Sequence, residues 1–293
     1  MNTRSESDRL LGAADIRRIA DQAGIHPTKR LGQNFVIDPG TVRRIVRLAG
    51  VKPGQSVLEV GPGLGSLTLG LLEAGCLVTA DEIDSGLARR LPETVSERMP
   101  EALDRLTVIN RDALTLTPQL ADDAGRTADL TLVANLPYNV ATPIILTLLA
   151  RFANLSRFLV MVQKEVADRL TAGPGSKVYG APSLKLAWYG RATQAGRIGR
   201  HVFWPAPNVD SALVSFVRDE EGHIGEDERT RIRVFALIDA AFGQRRKTLH
   251  AALKGLVSPE AFKAAGIDPS RRGETMTIAE FAALERAGRE VDA

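Results

Sequence analysis

Ser56-Val57-Leu58-Glu59-Val60 runs into Gly61-Pro62-Gly63-Leu64-Gly65, which reads as a buried strand entering a glycine-rich turn. Ser66 to Ala74 follows with helical composition, and Leu77-Val78-Thr79-Ala80 makes a second strand that ends at Asp81-Glu82. This is a βαβ unit with an acid about 20 residues beyond its first glycine, the spacing that reaches a ribose hydroxyl pair. A lone glycine-rich turn is weak evidence. Set between these two strands, it points to a nucleoside-type ligand. A dinucleotide fingerprint places a glycine at its sixth position, where this chain has Ser66. Glu59, just before the turn, would repel phosphates and favour a cation. S-adenosylmethionine carries a ribose, a sulfonium and an ammonium but no phosphate, and it fits the pattern better.

The alternation continues outward. Leu106-Thr107-Val108-Ile109-Asn110 makes a strand followed by Asp112, and Asp129 to Ala134 makes another that leads into Asn135-Leu136-Pro137-Tyr138. Thr142-Pro143 opens an apolar helix, and Arg157 to Gln163 is a further strand. Glu82, Asp112 and Asn135 therefore stand at three strand ends on one rim, where open α/β sheets bind their ligands. Each acid alone could be a helix N-cap. Three at successive strand ends favour a site. An Asn carboxamide oxygen and a backbone carbonyl near Leu136 offer two acceptors, which suit the two hydrogens of a planar exocyclic amine. Tyr138 adds a face on which a base can stack, and Pro137 stiffens the turn. The same four residues could form an ordinary strand-to-helix turn.

The remaining composition bounds the class. The chain has 293 residues, 44% hydrophobic and 25% charged, with a net charge of +3 and a pI near 9.2. That is ordinary globular composition with a basic lean, which permits a nucleic-acid partner. Single Cys76 excludes an internal disulfide and fits a reducing cytoplasm. No apolar run has the length of a membrane span, and no signal-peptide pattern opens the chain. His26, His201, His223 and His250 are scattered, and no Cys/His spacing suggests a metal.

An amphipathic helix is expected over Ala13–Ala23, within an N-terminal extension of residues 1–25. His26 to Asp38 has no period but mixes Lys29, Arg30, Gln33, Asn34 and Phe35, as a polar connector or a ligand-covering loop would. Lys164 to Leu170 reads as a helix, and a glycine-rich loop follows. Phe203-Trp204-Pro205-Ala206-Pro207 lies beside Arg197, Arg200 and His201, giving aromatic and cationic groups for single-stranded nucleic acid. A hydrophobic plug at the sheet edge is an equal reading for one of the two rings. Ser211 to Val217 alternates as a strand. A polar stretch from Asp219 to Asp227 then reads as a linker, dividing a domain of residues 26–219 from a helical one of 220–293. In the latter, Gly243-Gln244-Arg245-Arg246-Lys247-Thr248 is a basic turn, either a solvated surface or an RNA-backbone contact.

With these segments in hand, the chain resembles the small-subunit ribosomal RNA adenine dimethyltransferases, the kasugamycin-sensitivity enzymes. The resemblance runs from about Lys29 to Leu284. Its landmarks are Leu31-Gly32-Gln33-Asn34-Phe35, Glu59-Val60-Gly61-Pro62-Gly63-Leu64-Gly65, Glu82-Ile83-Asp84, Asn135-Leu136-Pro137-Tyr138-Asn139, Gln163-Lys164-Glu165-Val166, Phe203 to Ala212 and Arg245-Arg246-Lys247-Thr248-Leu249. Gly266-Ile267-Asp268-Pro269, with Arg272 and Glu274, completes them. It implies a Rossmann-like class I methyltransferase sheet, mostly parallel with one antiparallel strand, and a small all-helical C-terminal domain. It implies dimethylation of two adjacent adenines in the 3′-terminal hairpin of 16S rRNA on the assembling small subunit. Beside this, a cytoplasmic, metal-free monomer is expected. By the same implication Asn34, the Val36 backbone, Gly61, Glu82, Asp112 and Asn135 line the S-adenosylmethionine site. Tyr138 and Phe203 would sandwich the target adenine, and Lys29, Arg30, Arg245, Arg246 and Lys247 would meet RNA. Ala141 stands where the family commonly has Ser, and His250-Ala251 replace the usual Arg-Asn, departures that bear on RNA contact. Two other readings stand beside this one: a macrolide-resistance methyltransferase acting on large-subunit RNA, and a ribosome-assembly binding factor with incidental catalysis.

Overall fold

The computed structural model describes residues 9–25, 33–122, 129–219 and 227–291. Among these residues, nine strands follow in chain order: β1 (Phe35–Val36), β2 (Ser56–Val60), β3 (Leu77–Asp81), β4 (Leu106–Ile109), β5 (Leu130–Asn135), β6 (Leu155–Gln163), β7 (Gly190–Ile198), β8 (Phe203–Trp204) and β9 (Ser211–Arg218). Seven form one sheet in the order β4-β3-β2-β5-β6-β9-β7. The pairs β2–β3, β3–β4, β2–β5 and β5–β6 are parallel, and β6 pairs antiparallel with β9. This is the α/β class, with the mostly parallel sheet that the resemblance implies. Parallel strands need helical crossovers, which cover the sheet and account for every residue of β2 being buried.

That order also places the site. From β2 the chain steps outward through β3 to β4, then returns to lay β5 on the other side of β2. The strand order reverses between β2 and β5, so the chains leaving their carboxyl ends diverge and open a crevice. Gly61 and Asn135 stand at those two ends.

Two helices and one strand of this region add to the elements expected from the sequence. Helix Pro39–Ala49 starts where Asp38 accepts a hydrogen bond from the Thr41 N–H at 2.8 Å, and it ends at Gly50 in the left-handed conformation, φ 63°. Helix Ser85–Arg98 is capped by Asp84 and carries Pro92 inside it. Pro92 hides the helix in the sequence, because an interior proline removes one backbone donor and normally breaks the period. Strand β7 buries only Gly190 and Ile198, at its two ends, so no alternation marks it. The Pro205 and Pro207 segment forms no central strand. The two residues before it, β8, pair with β1 in a separate two-stranded ribbon, Phe35 opposite Trp204 and Val36 opposite Phe203.

The chain forms two compact units. One comprises the described residues up to Ala167 with Thr193–Val217, and the other comprises Asp168–Ala192 with the described residues from Arg218 onward. The second is built on helices Glu228–Gly243, Pro259–Ala264 and Ile278–Val291, which bury Val234, Ile238, Phe262, Phe281 and Leu284. Within it Tyr179 donates its hydroxyl to the Met276 carbonyl at 2.8 Å, and Trp188 and Tyr189 meet Phe235 edge-on. The buried Glu285 pairs with Arg233 and Arg289. Among the described residues no helix is long and apolar enough to cross a membrane.

Candidate functional site

A cleft of about 870 Å³, part of it open to solvent, lies at the carboxyl ends of β2, β3, β4 and β5. Among its lining residues are Asn34, Val36, Gly61, Glu82, Asp112 and Asn135, so the six residues expected to meet the cofactor share one concavity. Ile83, Leu87, Val140 and Ile144 give it apolar walls that strand-end reasoning did not supply.

The glycine-rich turn forms its floor. Gly61, Gly63 and Gly65 all have positive φ, at 70°, 58° and 95°. A Cβ on Gly63 would sit 2.8 Å from the Phe35 ring, so the turn and β1 can approach only without a side chain there. Gly63→Ala would add roughly 1–2 kcal/mol of left-handed backbone strain, besides pushing Phe35 away. The expected result is a lower chemical-denaturation midpoint, by that stability loss or more divided by the m-value. An unchanged midpoint would mean that the turn adjusts freely.

Glu82 braces the turn. Its Oε2 accepts the Gly63 N–H at 3.1 Å and its Oε1 accepts the Asp84 N–H at 3.0 Å. Burial pushes this carboxyl up, against the pull of those N–H donors. Ser66 donates to the Val36 carbonyl at 2.6 Å, holding β1 against the helix that follows the turn. Asp112 is exposed and caps a short turn, accepting the Leu114 N–H at 2.9 Å. The capping reading and the cleft reading both hold for it.

At β5, Asn135 donates Nδ2–H to the Asn34 carbonyl at 3.0 Å. A carbonyl can only accept, so this bond fixes the orientation of the carboxamide. Its Oδ1 is buried and has no partner. Leu136 is buried behind it and donates its N–H to the Met161 carbonyl at 3.1 Å.

The two aromatic residues stand apart from the cleft lining. Tyr138 is 9% exposed, with its hydroxyl 2.7 Å from Ser211 Oγ, and Phe203 is 3% exposed in the hydrophobic core. Phe203 is thus buried as a plug would be, and no base can reach its face without a rearrangement. Trp204 is only partly buried and stacks on Phe35 at 6.3 Å between centroids. Lys29 and Arg30 lie outside the described residues. Arg245, Arg246 and Lys247 are exposed in the second unit. Arg245 is committed to Glu274 at 2.9 Å and to the Lys177 carbonyl at 2.8 Å.

The electrostatics select the ligand class. Glu59, Asp81, Glu82 and Asp112 line the cleft, and among the described residues no Lys, Arg or His does. Burial pushes Glu59 up to about 8 although Thr68 donates to it at 2.7 Å, so without a cation beside it this group is mostly protonated at neutral pH. Selection against phosphate is therefore a property of the described lining as a whole rather than of the Glu59 charge, since that lining is acidic and holds no phosphate-binding cation. Hydroxyls, amines and an ammonium are what it can satisfy. S-adenosylmethionine fits that donor set. Among the described residues no group of three or more His, Cys, Asp or Glu is placed to hold a metal ion.

Comparison with known proteins gives a consistent result. A family model described as ribosomal RNA adenine dimethylase matches residues 26–287. A ribosomal RNA small subunit methyltransferase A of Bifidobacterium longum is 69% identical over 286 residues, covering 95% of this chain and 93% of that protein. Its counterpart in Streptomyces griseus is 56% identical over 285 residues, covering 96% of each chain. Among solved structures, a dimethyladenosine transferase from Plasmodium falciparum superposes with a TM-score of 0.69 at 23% identity, over 85% of this chain and 95% of that one. The 23S rRNA methyltransferase ErmE gives 0.64 at 24% identity, over 87% and 100%. At those identities the two structures speak for the fold alone.

Proposed function

Because the chain belongs to the ribosomal RNA adenine dimethylase family, we propose that it methylates two adjacent adenines in the 3′-terminal hairpin of 16S rRNA, presented on an assembling small subunit. It is an S-adenosylmethionine-dependent rRNA adenine dimethyltransferase. Large-subunit action is not favoured, since the relatives of high identity bear the small-subunit name. A cytoplasmic monomer is the setting this reading assumes.

The observation that carries the chemistry is the unpartnered Asn135 Oδ1 in an acidic cleft at a strand's carboxyl end. An adenine amine is a poor nucleophile, because its lone pair is delocalised into the ring. Asn135 Oδ1 and the Leu136 carbonyl accept its two hydrogens and turn the lone pair out of the ring plane. When bound, S-adenosylmethionine supplies the electrophilic methyl on its sulfonium. Glu82 and Asp112 hold the adenosyl part, with Asn34, the Val36 backbone and Gly61 beside them. Position and electrostatics suffice, and no covalent intermediate is needed. Tyr138 and Phe203 supply the faces for a base taken out of its stack. Both are covered here, so base entry requires their surroundings, Ser211 and the β1–β8 ribbon, to give way.

The test offers labelled S-adenosylmethionine with unmethylated 30S particles, 50S particles and naked RNA, followed by mapping of the product. Label in two adjacent adenines near the 16S 3′ end, from 30S particles only, is the expected result. Label in 23S rRNA would sink the assignment.

Docking by the second unit gives a separable prediction. Arg246 and Lys247 carry no ion pair among the described residues, unlike Arg245. Changing both to Gln should lower the salt dependence of small-subunit binding by about 0.7–0.9 for each phosphate that is no longer neutralised, and leave cofactor affinity unaltered. Arg245→Gln should act mainly on the stability of its own unit. An unchanged slope in the double variant would make the turn a solvated surface.

A further inference from the structure

Among the described residues, two buried side-chain oxygens of the cleft have no hydrogen-bond partner, Asn135 Oδ1 and Asp81 Oδ1. The methyl transfer uses the first and has no need of the second. Asp81 is the last residue of β3, 1% exposed, with Val60 and Ile109 as its cross-strand neighbours. Between two such apolar residues a valine or isoleucine would serve the fold better, because an unpaired buried carboxyl costs stability. Its missing partner therefore calls for a donor that arrives from outside the chain.

Topology says which donor. In the order β4-β3-β2-β5, Asp81 lies on the far side of β2 from Asn135. Its half of the cleft is that of Glu82 and Asp112. The sulfonium end must face Asn135, so the donors on offer at β3 are the ribose hydroxyls and the adenine amine. Glu82 already accepts one backbone N–H on each oxygen, and Asp112 accepts one on Oδ1. Of the three carboxylates, Asp81 alone has a buried oxygen left without a donor, its Oδ1. We propose that Asp81 binds the adenosyl moiety of the cofactor, accepting one of its hydroxyl or amine hydrogens on Oδ1. This rests on the S-adenosylmethionine reading above.

A pH signature accompanies the geometry. Burial, with the Glu82 and Asp112 charges adding to it, raises the Asp81 carboxyl to about 7, against the pull of the Arg111 backbone N–H. A ligand donor favours the ionised form, so binding lowers this pKa and releases a proton. Affinity then rises as pH passes upward through about 7. The other groups facing this region are Glu59 on β2, Glu82 and Asp84 after β3, and Asp112 after β4. Glu59, raised to about 8, titrates close enough to need its own control.

The experiment is calorimetric titration of the full chain with S-adenosylhomocysteine from pH 6 to 9, together with thermal melts of the cofactor-free protein. The variants are Asp81→Val, Asp81→Asn and Glu59→Gln. Asp81→Val should weaken binding by about tenfold to a hundredfold, the range for a hydrogen bond to a charged group. It should also raise the melting temperature and flatten the pH dependence near 7. Asp81→Asn, which keeps a neutral acceptor, should fall between it and wild type. Glu59→Gln should retain the rise near 7. Unchanged affinity with a raised melting temperature would overturn the proposal, leaving Asp81 a mere structural liability. A fall in both would also overturn it, by making Asp81 a brace of the fold. If wild type itself fails to bind, the cofactor reading fails instead.

Discussion

Asn135→Ala should slow single-turnover methyl transfer by about a hundred- to a thousandfold, the roughly 2.7–4 kcal/mol that one well-placed hydrogen-bonding group contributes in a dry site. Small-subunit binding should stay near the wild-type level. The loss falls on the chemical step because the interaction strengthens as the amine's lone pair turns toward the methyl, so it is made mostly in the transition state. Geometry supports this ordering of effects. Oδ1 has no partner to lose in the resting protein, while Nδ2 is anchored on the Asn34 carbonyl. Asn135→Asp should not rescue, since a carboxylate cannot donate to that carbonyl and would turn an acceptor against it. Single-turnover transfer at saturating cofactor, run beside a particle-binding assay, separates the steps. Near-wild-type transfer by Asn135→Ala would mean that this residue does not orient the amine.

The parts of this molecule legible in its sequence are those where local chemistry and tertiary role coincide. Ser56–Val60 is a strand end to end, because burial on both faces leaves an almost continuous apolar run. The rim formed by Glu82, Asp112 and Asn135 follows from counting strand ends, and all three do line one cleft. What escaped is set by distant contacts. The β1–β8 ribbon joins Phe35 to Trp204 across most of the catalytic unit's sequence, and two residues carry no period. The buried state of Phe203 follows from that ribbon, so a stacking platform and a plug look alike in sequence. The segment Asp168–Ala192 groups with the C-terminal helices, though no polar linker precedes it. Its Tyr179, Leu184 and Trp188 are apolar anchors that would suit either core. The expected linker itself falls largely outside the described residues. Asp81 reads as one more polar strand end, and only its missing partner marks it out.

Glu82 carries the other large effect, and the structure alters what its variants should do. A carboxylate that only touched the ribose would be replaced with modest loss by Gln, which keeps its shape and one acceptor. Here each oxygen already receives a backbone N–H, from Gly63 and from Asp84. A Gln side chain must aim its NH2 at one of those two donors, and donor against donor repels. Glu82→Gln should therefore be nearly as damaging as Glu82→Ala. In both, the glycine turn loses a brace and the cofactor loses the ribose acceptor proposed for it. Two charge-assisted bonds at roughly 1.5–3 kcal/mol each put the loss of S-adenosylmethionine affinity at a hundredfold or more. Thermal stability should move far less, because removing a buried charge relieves the desolvation that pushes this carboxyl up and offsets the orphaned N–H groups. Calorimetry on the two variants and wild type at one pH, with melts in parallel, decides the matter. Affinity within threefold of wild type in either variant would remove Glu82 from the cofactor site. A Gln variant binding markedly better than the Ala variant would show that the brace on Gly63 is dispensable, leaving the ribose contact as the whole of its role.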